Sequence, residues 1–210
     1  MHTERGFDRL VNFSDAVVAI AITLLILPLV ETVTSLGDGT VEELISEDWS
    51  KFLVFVISFA VIGRFWMAHH AMYERVVGYN VPLLWVNLLW LLSIVFLPFP
   101  TELIAATSYE SPTTCALYIG TMLVTSIAAL GQQQIIIRSP ELQAEQVRGT
   151  VDNLGAVVMV LLMVVAFVLG VFVPHVGLWA LLVLALTGPV TAVGRRMRVR
   201  VGRARRPDAG

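Results

Sequence analysis

Charge is scarce in this chain. Only 14% of its 210 residues are Asp, Glu, Lys or Arg, whereas soluble domains carry about 25%. Too few charges remain to coat a soluble surface, and those present lie in clusters separated by long uncharged gaps. Lysine is almost missing, with Lys51 alone against 13 arginines. The single Cys115 excludes an intrachain disulfide, and its apolar setting suits a small buried residue. No G-x-x-x-x-G-K-S/T loop, H-E-x-x-H pair or G-x-S-x-G elbow occurs. An intramembrane enzyme would therefore lack its nucleophile or metal site, and no cofactor is expected. A T-V-G-Y-G filter and a repeated-arginine voltage sensor are also missing.

Apolar sequence fills the space. Hydrophobic residues make up 57% of the chain, with a mean hydropathy of +0.79. A membrane span needs about 20 mainly apolar residues. Six segments qualify, at about 13–30, 52–73, 82–98, 113–131, 154–173 and 177–194. Pro82 suits the first turn of the third. The break V-P-H-V-G turns the last two into a helical hairpin. Asp15 interrupts the first apolar run and no small-x-small site follows, so that run reads as a span rather than a cleaved leader. The expectation is an all-α integral membrane protein with six transmembrane helices in one domain, residues 1–194, and an arginine-rich tail, residues 195–210.

Basic residues in the short flanks set orientation. Six spans put both termini on one side, with Arg5, Arg9, Arg75, Arg138, Arg148 and the seven tail arginines. The other side has only Lys51, together with Glu31, Asp38, Glu42, Glu43, Glu47, Asp48, Glu102 and Glu110. Both termini are therefore expected in the cytoplasm, and the chain in the cell membrane as a multi-pass protein, the inner membrane if bacterial. The tail reads as a topology signal facing membrane lipid rather than as a nucleic-acid site.

Polar residues inside spans are costly, so each one is informative. The first span offers Ser14, Asp15 and Thr23, the second Arg64, His69 and His70, and the third Asn87 between Trp85 and Trp90. Asp15, the two histidines and Asn87 fall at similar depth, which allows a shared hydrogen-bond cluster. Ionised Asp15 only accepts, whereas His, Asn and Trp can donate. Two readings of Asp15 stand together: a member of that cluster, or an anion capping the helix start. Arg64 has two fates as well, pairing with Asp15 or snorkelling to the headgroups. Arg9 and Asp15, six apart, do not face each other on one helix. Ile20, Leu24 and Leu27 form one stripe beside Thr23, a pattern that ordinary packing also produces. The polar groups concentrate in the first three spans, and the last three read as a scaffold.

The segment R-L-V-N-F-S-D-A-V-V-A-I-A-I-T-L-L-I-L resembles the signature of the transmembrane-protein-175 family of potassium channels, R-x-x-x-F-S-D opening the first helix. Arg9, Phe13, Ser14 and Asp15 match it. The stretches W-M-A-H-H and N-L-L-W-L-L-S-I-V-F-L-P-F-P-T are similar to the family's second and third helices, so the likeness covers about residues 5–103. It implies a homotetramer whose first helices line a pore without a carbonyl filter, with K+ as the permeant ion and a modest preference for it over Na+. Rings of apolar side chains would fall at Ile20, Leu24 and Leu27, and a threonine influencing selectivity at Thr23. Arg9, Phe13, Ser14, Asp15, Trp66, His69 and Asn87 would bind the first helix to its neighbours. The rival reading is a proton- or ion-coupled transporter using Asp15 with His69 or His70. Such carriers break helices near mid-membrane, and Pro28, the one candidate break in the first span, lies near its outer end.

Overall fold

The computed structural model describes residues 4–35, 40–106, 111–173, 177–187 and 191–192. The arginine-rich tail and part of the sixth expected span lie outside them. The chain runs through α1 (Glu4–Leu24), α2 (Leu27–Ser35), α3 (Val41–Glu47), α4 (Trp49–Tyr73), α5 (Val81–Phe96), α6 (Pro98–Ala106), α7 (Pro112–Arg138) and α8 (Leu154–Phe172). A 3₁₀ helix follows at Gly177–Leu186. Five stretches of the described residues are long and apolar enough to cross a bilayer: Arg5–Val33, Trp49–Tyr73, Val81–Ala106, Pro112–Arg138 and Leu154–Phe172. They coincide with the first five spans expected from hydropathy.

Proline explains the two interrupted spans. Pro28 has no N–H for the Leu24 carbonyl, so the ladder slips there. Ile26 N–H instead reaches back to Thr23 O at 3.4 Å, and the helix resumes as α2. Likewise Pro98 cannot serve the Ile94 carbonyl, which accepts from Leu97 N at 3.2 Å before α6 begins. At the start of α5, the Asn80 side chain accepts from Leu83 N and Pro82 occupies the first turn. Outside the bilayer stretch, Thr40 and Glu43 cap α3 reciprocally.

At the centre, α7 packs against both α5 and α8, and the 3₁₀ segment lies on α8. A Cβ at Gly131 would stand 3.2 Å from Val86 Cγ1, so the glycine allows the close approach of α7 to α5. Trp90, Ile94, Tyr118, Ile119, Met122 and Met163 belong to the main core. The fourth span is longer than expected. Gln132 is wholly buried within it, and the helix continues to Arg138. The loop beyond closes its end: Gln143 donates to the Ile136 carbonyl at 2.7 Å and accepts from Gly149 N at 2.9 Å. Gly149 has φ 75, which favours glycine. This loop also pairs with the connection after α4, through Val77 N to Leu142 O at 2.8 Å and Ala144 N to Arg75 O at 2.9 Å. Leu142 then joins Phe7, Leu10, Tyr73, Val76, Leu83 and Ile136 in a second core. The basic end of the bundle is thus a folded layer.

Candidate functional site: two faces of the first helix

Ser14, Val18, Ala21 and Leu25, spaced i, i+4, i+7 and i+11, form the buried face of α1 and its exit. Ser14 fastens it. Its hydroxyl donates to Leu10 O at 2.9 Å and accepts from Asn87 Nδ2, also at 2.9 Å. Asn87 Oδ1 lies 2.8 Å from His69 Nε2. An amide oxygen only accepts, so the imidazole carries its proton on Nε2. The ring of His69 lies between Tyr73 and Trp90, with centroids 4.2 and 4.1 Å away. One buried amide therefore ties together α1, α4 and α5.

Asp15 takes a different partner. It sits about 100° round the helix from Ser14 and accepts from Trp66 Nε1 at 2.8 Å. Trp66 in turn stacks on His70 at 5.4 Å, and His70 Nε2 lies 3.4 Å from Glu74 Oε1. Ser14, Asp15, Trp66, His69 and Asn87 are therefore brought together as two adjacent anchors. Arg9 and Phe13 are exposed in the subunit, and neither joins these anchors by a hydrogen bond or ion pair among the described residues. Arg64 is exposed and forms no ion pair with Asp15.

The opposite face of α1, continued into the start of α2, is exposed. Ile20 is 62% exposed, Leu27 50% and Leu24 39%. Between them, the Thr23 hydroxyl donates to Ile20 O at 2.7 Å, which leaves its oxygen lone pairs turned outward as acceptors. The Leu24 carbonyl, deprived of its donor by Pro28, lies beside it.

Hydroxyl pairs deeper in the bundle add polar contacts between the fourth span and the second and third. Ser58 Oγ lies 3.0 Å from Tyr118 Oη and 3.1 Å from Thr101 Oγ1. Thr125 Oγ1 lies 2.9 Å from Ser93 Oγ. Thr114, Tyr118, Thr121 and Thr125 recur at helical spacing along one buried face of α7, a pattern of uncharged groups legible in the sequence.

These features define a membrane-embedded helical bundle whose first helix is pinned along one side and exposed along the other. The family model described as "Endosomal/lysosomal potassium channel TMEM175" matches residues 9–98, the stretch that holds both anchors. A potassium channel of Streptomyces collinus is 37% identical over 97 residues, 46% of this chain and 47% of that one. A potassium channel of Chamaesiphon minutus is 40% identical over 104 residues, 46% of this chain and 48% of its own. The chain thus matches about half the length of these two relatives. A crystal structure of a lysosomal potassium-selective channel TMEM175 homolog from Chamaesiphon minutus is 27% identical, with a TM-score of 0.63, covering 90% of this chain and 96% of the other. Over residues 9–98 the chain is thus similar to the TMEM175 family, and its fold is similar to that of the Chamaesiphon minutus homolog.

Proposed function

We propose that the protein is a potassium-permeable channel, modestly selective for K+ over Na+, in which four copies place α1 around a central pore. The opposed faces of α1 carry this reading. Ser14 and Asp15 hold one side to α4 and α5, while Ile20, Thr23, Leu24 and Leu27 stay exposed. Four copies of the bare face would build apolar rings that make an ion shed water, and K+ sheds it more readily than Na+. Thr23 hydroxyls and the Leu24 carbonyls freed by Pro28 would supply oxygen beside those rings. Arg9 and Phe13, exposed in one subunit, would meet neighbouring copies. The charge distribution supports both termini in the cytoplasm and insertion in the cell membrane, with the acidic outer loops concentrating cations at the mouth.

A proton-coupled carrier is less well supported, because Asp15 and His69 have separate partners, Trp66 and Asn87, and form no direct relay. Purified protein in planar bilayers under opposed K+ and Na+ gradients tests the proposal. A channel gives unitary currents that reverse toward the K+ equilibrium potential; coupled turnover without unitary currents would refute it. Cysteine at position 43 should label from outside and at 205 only from inside, and the reverse would overturn the orientation.

A further inference from the structure

A cavity of about 110 Å³ opens at the basic end of the bundle, between the last turns of α4 and α7. Ala68, Ala71, Met72 and Ile136 form its apolar walls, and Arg75 and Gln133 are its polar groups. Gln133 Nε2 is already engaged, donating to Asp152 O at 2.6 Å. Arg75 is different. Its backbone is held, because its carbonyl accepts from Ala144 N at 2.9 Å. Its guanidinium is exposed and has no carboxylate partner among the described residues. The adjacent Glu74 is directed to His70 instead.

An unpaired guanidinium on a fixed backbone, beside an apolar slot at the end of two spans, calls for an anion with an apolar attachment. A phosphodiester offers two oxygens to the planar guanidinium fork. The small side chains of Ala68 and Ala71 leave room next to it for glycerol and the first part of an acyl chain. A free phosphate would gain only the charge contact. Basic pockets between helices at a membrane face suit anionic headgroups for this reason. We propose that this cavity binds an anionic phospholipid, with Arg75 on its phosphate and the α4 alanines against its upper chain.

The test is independent of conduction. Purified protein is equilibrated with mixed phosphatidylglycerol and phosphatidylcholine micelles, retained lipid is counted by native mass spectrometry, and melting is followed with each lipid or with inorganic phosphate. The unaltered protein should retain phosphatidylglycerol preferentially and melt higher in its presence. Arg75→Gln should cut that retention about fivefold, the factor that one cation contributes toward an anionic headgroup. Ala71→Phe keeps the charge but fills the slot, and should lose the lipid too; it carries the test should Arg75→Gln not fold. Arg5→Gln, at the same end on α1, should change nothing. Retention unchanged in Arg75→Gln or in Ala71→Phe would overturn the proposal, as would equal protection by inorganic phosphate, the mark of a simple anion site.

Discussion

Two buried polar clusters hold this bundle together, and they are built differently. The one at α1 adds to the Ser14 hydroxyl an amide, an imidazole, an indole and a carboxylate, whose bonds here all run to other helices. The one around α7 uses hydroxyls that also reach their own backbone: Thr101 lies 2.9 Å from Leu97 O, Ser93 2.7 Å from Trp90 O and Thr125 2.9 Å from Thr121 O. A hydroxyl that loses its cross-helix partner falls back on that local carbonyl. Asn87 has no such fallback. The first cluster therefore specifies where α1 stands, while the second adds adhesion between helices that apolar packing already joins.

Breaking the amide should separate the two most. Asn87→Leu removes two bonds, leaving the His69 imidazole buried without its partner and Ser14 with Leu10 O alone, a cost of about 2–4 kcal/mol. Thermal unfolding in detergent should show the largest drop of any variant considered, and an unchanged midpoint would mean that α1 is not held there. Trp66→Phe removes one bond to a part-buried carboxylate and should cost about 1–2 kcal/mol. Asp15→Ala at the same bond should disturb assembly or the position of α1 rather than ion binding; a variant that assembles and conducts as the parent does would remove this anchor from the account. Thr125→Val should cost only about 0.6 kcal/mol, typical of a cross-helix bond in a membrane. A loss as large as that of Asn87→Leu would erase the distinction between the clusters.

Hydropathy made the first five spans legible, because a long uncharged run has few alternatives to crossing a bilayer. It could not tell which donor meets Asp15. Asn87, His69 and Trp66 all fall at the right depth, and the choice rests on helix rotation. Ser14 and Asp15 point about 100° apart, so the amide goes to one and the indole to the other. The α7 hydroxyl ladder was readable at helical spacing but carried no charge to draw notice. The loop around Gln143 was not readable at all, since its backbone pairing joins it to residues 75–77, far away in the sequence. The bare stripe of α1 was visible as a pattern. Its exposure, however, is a tertiary fact: Ile20 is open only because α4 and α5 pack on the other side.

Whether that open stripe lines the ion path is the central claim, and Ile20→Asn tests it most directly. In the proposed tetramer, four amides would replace the apolar ring at Ile20. Conductance and reversal potential should be recorded together in bilayers, on a variant shown to fold and assemble as the parent does. A pore at Ile20 predicts higher conductance and a reversal potential shifted away from the K+ equilibrium value as Na+ gains passage. A well-folded Ile20→Asn protein with the parent's conductance and selectivity would contradict the account and move the pore to another helix.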